Sequence, residues 1–313
     1  MTINQLHYVL VLSKHGNFKR ASEQLEISQP ALSLQVQKLE EEIGFKLFNR
    51  TSNPIEVTEY GKLFLFKTQE VLTGVKQLQN FSAEIKEDYN GKLTIGIIPT
   101  LAPFLVPLFI ESIEEDYPNL QLIIKEQITE QVVNNVRTGD LDVGIISTPI
   151  NIYGIKSIPL FYERFYVYTS GENYVTKEFK LEDINYDKLW LLDEGNCFRD
   201  QINNFCDLKL VREGKKLIYE SNSIDALIRI VDTKGGMTIL PELTSLCLNE
   251  YQEENLKNIS GKPKAREIGL IVTNKYDKER YIQVLEEYIK KNIPHHMLSK
   301  QDYEVVDPNI QIK

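Results

Sequence analysis

Hydrophobic positions near the start of the chain recur at helical spacing and predict three short helices. The first covers residues 3–14 and is followed by Gly16, and the second covers residues 18–25. A third helix starts after Ser28, which can cap it because its hydroxyl accepts a first-turn N–H. The buried face of this third helix comprises Leu32, Val36 and Leu39.

The opposite face of the third helix is small and mostly polar. At 100° per residue it carries Pro30, Ser33, Leu34, Gln37 and Lys38. Two helices, a short turn and a third helix of this kind predict a helix-turn-helix. Gln29, Ser33 and Gln37 can reach base edges, and Leu34 can touch a thymine methyl.

A turn-rich hairpin over residues 45–57 reads as a wing beside this motif. Arg50, Thr51 and Ser52 are placed to hold phosphates or a minor groove. A plain three-helix bundle is the alternative, and the equal number of basic and acidic residues in 1–58 mildly supports it. The Ser28–Ser33 entry into the third helix, together with the wing, favours DNA binding. Residues 1–58 are therefore predicted to form a winged helix-turn-helix domain.

A long amphipathic helix is predicted over residues 59–89. Apolar and small side chains recur there at steps of four and three, as in a short coiled-coil seam: Val71, Val75, Leu78, Ser82 and Ile85. The alternative is a core helix packed within its own subunit. The length and the polar opposite face favour pairing with a second chain, which would set two recognition helices on one face of DNA.

From residue 90 the pattern alternates between strands and helices, which predicts α/β architecture. Buried strands are expected at 93–98, 120–124 and 141–146, then a second set at 165–168, 189–192, 217–220 and 237–240. A return strand at 269–273 precedes a last helix at 281–293. The chain thus leaves the first set of strands, forms the second set and returns to the first. This order predicts a two-lobed, periplasmic-binding-protein-like regulatory domain over 90–313. Lobe I covers about 91–162 and 266–313, and lobe II about 163–265.

Ligands of two-lobed folds bind between the lobes at helix N-termini. Thr100 and Thr129 each open a predicted helix, so their hydroxyls are candidates to face that cleft. The simpler alternative is that each threonine only caps its helix.

Composition narrows the class of protein. The chain has 313 residues, 42% of them apolar, and its net charge of −9 excludes a protein that coats nucleic acid by bulk attraction. We find no signal peptide and no apolar run that could span a membrane, so a cytoplasmic protein is expected. The four histidines show no metal-ligand spacing, and no cofactor or metal is predicted.

Two of the three cysteines, Cys197 and Cys206, lie nine positions apart in the segment 195–206. Asn196 is a good N-cap, which would place Cys197 at the first helical position, where the helix dipole favours a thiolate. An unbroken helix would separate the two residues by about 13 Å, whereas a disulfide needs Cα atoms within about 7 Å. Oxidation would therefore have to rebuild the segment. The alternative is two inert core cysteines, and Cys247 is expected to be a buried structural residue.

The N-terminal motifs resemble the signature of LysR-type transcriptional regulators. The resemblance rests on Phe18, Ala21 and Leu25, on Ser28–Ser33, on Lys38–Glu40 and on Leu47–Arg50. It implies that the third helix enters the major groove of a partly palindromic site, with contacts from Gln29, Pro30, Ser33 and Arg50. It also implies a homodimer or homotetramer.

The segment from Gly195 to Cys206 is similar to the hydrogen-peroxide-sensing branch of that family. The resemblance implies that Cys197 is the peroxidatic cysteine and Cys206 the resolving one. It also implies a set of residues that line the peroxide pocket or stabilise the thiolate: Thr100, Thr129, Asn196, Asp200 and Arg266. Two histidines common in that branch are replaced here by Asn196 and Ile218, which affects proton handling.

The sequence therefore predicts a DNA-binding transcriptional regulator that senses hydrogen peroxide through a reversible Cys197–Cys206 disulfide. It would be a stoichiometric switch and not an enzyme. Its expected partners are double-stranded promoter DNA, RNA polymerase, a second copy of the chain, and a thioredoxin or glutaredoxin system as reductant. The alternatives are a LysR-type regulator of a small metabolite bound between the lobes, and a thiol peroxidase that uses the same cysteine pair.

Overall fold

The structure is a computed structural model that describes most of the chain. It leaves out residues 51, 53, 85–90, 171–177, 194–196, 207–218, 220, 275, 277, 301–302, 309 and 311–313, and the side chains of residues 73 and 76–84. The chain divides into two compact units, Met1–Asp88 and Tyr89–Lys313.

The first unit combines helices with a short hairpin. Its described elements are α1 (Ile3–His15), α2 (Phe18–Gln24), α3 (Gln29–Ile43), β1 (Phe48–Asn49), β2 (Glu56–Val57) and α4 (Glu59–Glu84). The predicted wing is confirmed, because β1 pairs antiparallel with β2. The first positions of the predicted seam belong to α4, and Val71 is exposed. The seam positions Leu78, Ser82 and Ile85 lie outside the described side chains.

Local chemistry explains where these helices begin and end. Thr2 and Gln5 form a capping box at the start of α1, and Gly16 ends it with a φ of 57°, a conformation that glycine adopts without strain. The Gly16 carbonyl then accepts a hydrogen bond from the Ile55 amide at 2.9 Å, which ties the wing to α1. Ser28 caps α3 as predicted, accepting from the Ala31 amide.

The second unit is a mixed α/β structure. Its described elements are β3 (Gly91–Ile97), α5 (Ala102–Asp116), β4 (Leu120–Glu126), α6 (Thr129–Thr138), β5 (Val143–Thr148), β6 (Ile155–Ser170), β7 (Glu178–Phe179), α7 (Cys197–Asn203), α8 (Ile224–Lys234), β8 (Gly236–Pro241), α9 (Glu250–Glu254), β9 (Leu256–Ile259), β10 (Lys264–Thr273), α10 (Glu279–Asn292) and β11 (Glu304–Val305). None of the helices in the described part is long and apolar enough to span a membrane.

Strand β6 connects the two halves of this unit. Its first part pairs antiparallel with β10, and its later part pairs with β8 and β9. On the other side of β10, strand β5 pairs antiparallel with β10. Strands β5, β3 and β4 are parallel to one another. The strand predicted at 165–168 is present and pairs with β8 and β9 of the second set, but it is the later part of one strand of 16 residues. The predicted order of strands is present: β6 leads from the first set of strands to the second, and β10 leads back to the first.

The strand predicted at 189–192 is absent. Only Leu189 forms a bridge, with Met237. Beyond it the Trp190 amide donates to the Met237 carbonyl at 2.8 Å and the Asp193 amide to the Ser221 carbonyl at 2.9 Å, without forming a strand. The run is apolar because Leu189, Leu191 and Leu192 are buried, so burial and not sheet pairing produced the pattern. The predicted strand at 217–220 lies outside the described residues except for Tyr219.

Candidate functional site

Cys197 is the first residue of α7 and is buried. Its Sγ atom lies 3.8 Å from the Oγ atom of Ser147, at the end of β5. The Ser147 hydroxyl donates to Oε1 of Gln201 at 3.4 Å, and the Gln201 amide donates to the Val306 carbonyl at 2.8 Å. A chain of polar contacts therefore leads from the thiol through one turn of α7 to the C-terminal part of the chain.

Cys206 lies three residues beyond the end of α7 and is also buried. Burial raises the pKa of its thiol to about 12, and the nearby charge of Lys264 only partly opposes this. Both cysteines are reduced in the structure and belong to the same hydrophobic core. The expectation that Cys247 is buried is wrong, because the 3₁₀ turn from Glu242 to Cys247 carries it to the surface.

Arg266 is fully buried on β10 and forms an ion pair with Glu163 on β6, at 2.7 Å. Its Nη1 atom donates to the hydroxyl of Thr100 at 2.9 Å. The guanidinium also lies 4.8 Å from the ring centroid of Phe198, the residue that follows Cys197. Among the described residues, Arg266 is the only buried arginine near α7. Its charge is compensated by the Glu163 carboxylate, and it contacts the cysteine helix through the Phe198 ring.

The two candidate threonines are both buried, and neither caps a helix. Thr100 lies in the turn before α5, where Leu101 takes the cap position, and Thr129 is the first residue of α6, after Ile128. The simple capping alternative is therefore wrong for both. The hydroxyl of Thr129 has no hydrogen-bond partner among the described residues, which leaves a buried polar group able to bind a small ligand.

The remaining members of the predicted pocket are less well placed or undescribed. Asp200 is exposed on the first turn of α7, whereas Cys197 on the same turn is buried. Asn196 and Ile218 lie outside the described residues.

In the first unit, α3 presents the face that the sequence predicts for DNA. On this face Ser33 is partly buried, and Leu34 is 50% exposed although it is a large apolar residue. An exposed leucine on a polar face fits contact with a partner surface. The other predicted contact residues on this helix are exposed: Ser28, Gln29, Pro30, Gln37 and Lys38.

Arg50 is held by one contact with α2 and two contacts with α3. Its guanidinium lies 5.3 Å from the Phe18 ring centroid, and its Nη atoms approach Ser33 Oγ at 3.4 Å and Glu40 Oε2 at 3.3 Å. Glu40 is itself buried and also accepts from the Leu47 amide. A buried carboxylate therefore sets the position of the wing arginine. Thr51 lies outside the described residues.

Comparison with known proteins agrees with both units. Residues 3–62 match the bacterial regulatory helix-turn-helix family of lysR type, and residues 86–293 match the LysR substrate-binding domain. The chain belongs to the LysR family. Relatives of this LysR-family chain include the hydrogen peroxide-inducible genes activator of Haemophilus influenzae, with 31% identity over 83% of this chain and 85% of the relative. The DNA-binding transcriptional dual regulator OxyR of Escherichia coli shows 32% identity over 78% and 80%.

A solved structure extends the similarity to most of the LysR-family chain. A full-length OxyR variant from Pseudomonas aeruginosa matches with a TM-score of 0.75 and 28% identity, covering 93% of this chain and 95% of that one.

Sequence reasoning missed several residues that surround the predicted site. Ser147 and Gln201 contact the thiol directly or through one hydrogen bond, and Glu163 pairs with Arg266. Gln201 falls within the motif that resembles peroxide-sensing LysR-type regulators, so that motif could have pointed to it. Ser147 directly follows the strand predicted at 141–146, Glu163 lies just before the one predicted at 165–168, and nothing in the local sequence marks either residue.

Proposed function

We propose that this LysR-family regulator senses hydrogen peroxide through Cys197 and Cys206. The observation that carries the proposal is the placement of Cys197 at the start of α7, in contact with Ser147 and next to the Arg266–Phe198 stack. The names of the relatives, a peroxide-inducible activator and OxyR, support the same signal.

The proposed chemistry uses peroxide as the only oxidant. The Cys197 thiolate attacks one peroxide oxygen, the O–O bond breaks, and hydroxide leaves, which makes a sulfenic acid. Cys206 then attacks the Cys197 sulfur as a thiolate, and the sulfenic oxygen leaves as water once protonated. Two thiols and one peroxide thereby give one disulfide and two waters. A thioredoxin or glutaredoxin system would return the pair to thiols.

In this proposal, peroxide reacts at Cys197 and not at the other thiols. The unpartnered Thr129 hydroxyl and the Thr100 hydroxyl on Arg266 are buried polar groups that a molecule as small as peroxide could bind. Cys247 is the exposed thiol, so simple accessibility would favour oxidation there instead. Comparing Cys197 with Cys247 therefore tests whether the surroundings of a thiol or its exposure decides which one peroxide oxidises.

Signal transmission in this proposal runs through the family's DNA-binding architecture. Disulfide formation rearranges the α7 segment, and the rearrangement changes how paired chains bind promoter DNA and recruit RNA polymerase. A dimer or tetramer is proposed because the sequence predicts a seam for a second chain along α4, and because residues 1–58, with equal numbers of basic and acidic residues, need avidity for DNA.

The test uses a matched pair of variants, Cys197→Ser and Cys247→Ser. With brief, low-dose peroxide, we expect the Cys247→Ser protein to switch its promoter footprint like the parent protein. The Cys197→Ser protein should bind the promoter and remain unchanged by peroxide. A Cys197→Ser protein that still switches would refute the proposal. A footprint that responds to a metabolite but not to peroxide would favour the metabolite alternative, and continuous peroxide turnover with thioredoxin would favour a peroxidase.

A further inference from the structure

Residues 303–308, which we call the C-terminal segment, form a short strand beside the buried arginine strand. Its β11 part pairs parallel with β10, matching Glu304 to Lys264 and Val305 to Ala265. The Val306 amide donates to the Ala265 carbonyl at 2.8 Å, and Lys264 forms an ion pair with Glu304 at 2.8 Å. This segment is therefore docked on the strand that carries Arg266.

Helix α7 is attached to the same segment by two side-chain amides. Gln201, fully buried, donates to the Val306 carbonyl at 2.8 Å, and Asn204 donates to the Asp307 carbonyl at 2.8 Å. Because the Val306 carbonyl takes the Gln201 N–H, the amide oxygen of Gln201 faces the hydroxyl of Ser147. The C-terminal segment thus fixes both the helix and the residue that contacts Cys197.

A Cys197–Cys206 disulfide is incompatible with this arrangement of α7. The helix runs from Cys197 to Asn203, and the Cys206 amide still donates to the Ile202 carbonyl at 2.9 Å, so the helical path continues to the second cysteine. Nine residues of helical rise amount to about 13 Å, against the roughly 7 Å that a disulfide tolerates between Cα atoms. The bond can form only if the turn that carries Gln201 and Asn204 unwinds.

We propose that the C-terminal segment is a positioning element that holds the cysteine helix in its reduced conformation, and that the Cys197–Cys206 disulfide releases it. This inference rests on the proposed function, since it takes the peroxide reaction written above as its chemical step. An element that binds only the reduced conformation stabilises that conformation, and it opposes disulfide formation by the same amount. Loss of the segment should therefore make the disulfide more favourable.

The first test measures amide hydrogen exchange in the full-length protein before and after peroxide. The amides of Glu304 and Val306 donate to the Pro263 and Ala265 carbonyls, so we expect them to be protected in the reduced protein and to exchange at least tenfold faster once the disulfide has formed. The Cys206→Ser variant, which cannot form the disulfide, should keep its protection after peroxide. Equal protection of the segment in the reduced protein and in a sample with the disulfide mapped would overturn the inference while leaving the proposed function intact. Absence of the disulfide would instead contradict the proposed function.

The second test is a dithiothreitol redox titration of the full chain and of a chain that ends at residue 302. Truncation should shift the thiol–disulfide equilibrium about tenfold toward the disulfide, which corresponds to about 30 mV for this two-electron couple. Asn204→Ala in the full chain should shift it the same way by a smaller factor and have no effect in the truncated chain. Asn203→Ser, which changes an exposed side chain one position earlier and leaves helix propensity nearly the same, is the control and should leave the midpoint unchanged. If the truncated chain does not fold, an unshifted midpoint for Asn204→Ala still refutes the inference.

Discussion

The ion pair between Glu163 and Arg266 offers a sharp test of the physical account of the sensing unit. Both side chains are completely buried, and the pair joins the two strands that connect the halves of this unit. The second carboxylate oxygen of Glu163 accepts from the Leu243 amide at 3.1 Å. Glu163→Ala would leave a buried guanidinium uncompensated and a buried amide without its acceptor.

The expected cost follows from the environment of the pair. Removing one partner of a buried ion pair destabilises a protein by about 3–5 kcal/mol, because the remaining charge stays out of water. Glu163→Gln should cost less, since its amide oxygen still accepts from Arg266. In the double variant Glu163→Ala, Arg266→Ala, no charge is left alone, so its cost should be smaller than the sum of the two single variants.

Urea unfolding followed by fluorescence measures these free energies directly. Trp190 is the single tryptophan of the sequence and lies in the second unit, so its signal reports unfolding of that unit. Glu267→Ala is the matched control, because this carboxylate is only partly buried and accepts from Thr148 and Tyr162. We expect it to cost about 1–2 kcal/mol, as for ordinary hydrogen bonds. A loss below about 1 kcal/mol for Glu163→Ala, or strictly additive single variants, would refute this reasoning.

Three further predictions follow from individual groups. Since burial raises the pKa of Cys206 to about 12, its alkylation in the folded reduced protein should stay slow at pH 9 and accelerate in urea, and stability should fall as the pH rises from 9 towards 12. Burial works to raise the pKa of Glu242, but hydrogen bonds from Arg164 and other donors lower it overall. Its contribution to stability should therefore be present above the unfolded pKa of about 4.3 and be lost below it in acid titrations of Trp190 fluorescence. Gln29→Ala and Leu34→Ala should each weaken specific promoter binding by about 1–3 kcal/mol in filter binding, with an unchanged unfolding midpoint for the first unit by circular dichroism.

The sequence predicted those parts of the fold that depend on local periodicity. The three helices, the cap at Ser28 and the wing hairpin of the first unit follow from residues close together in the chain. The apolar run at 189–192 misled the strand prediction because burial against other elements gives the same pattern as a sheet. The sequence predicted only residues 165–168 of β6, which runs from Ile155 to Ser170.

Most contacts of the candidate site could not be predicted, because they join residues far apart in the sequence. Rarity and spacing drew attention to Cys197 and Cys206, whereas their redox roles rest on the resemblance to peroxide-sensing LysR-type regulators and stay predictions. The partner of Arg266 is 103 positions away, and Gln201 and the Val306 carbonyl that it contacts are 105 positions apart. These contacts arise only because β6, β10 and β11 lie side by side, and no short-range pattern encodes that arrangement.

The most direct test of the sensing mechanism follows the disulfide and DNA binding in one sample. The reduced full-length protein is treated with a low dose of peroxide, its thiols are mapped by mass spectrometry, and its promoter footprint is recorded before and after addition of thioredoxin. We predict a Cys197–Cys206 disulfide, an altered footprint, and reversal of both by thioredoxin, with Cys247 still reduced. A footprint that changes without this disulfide, or oxidation of Cys247 in its place, would contradict the account.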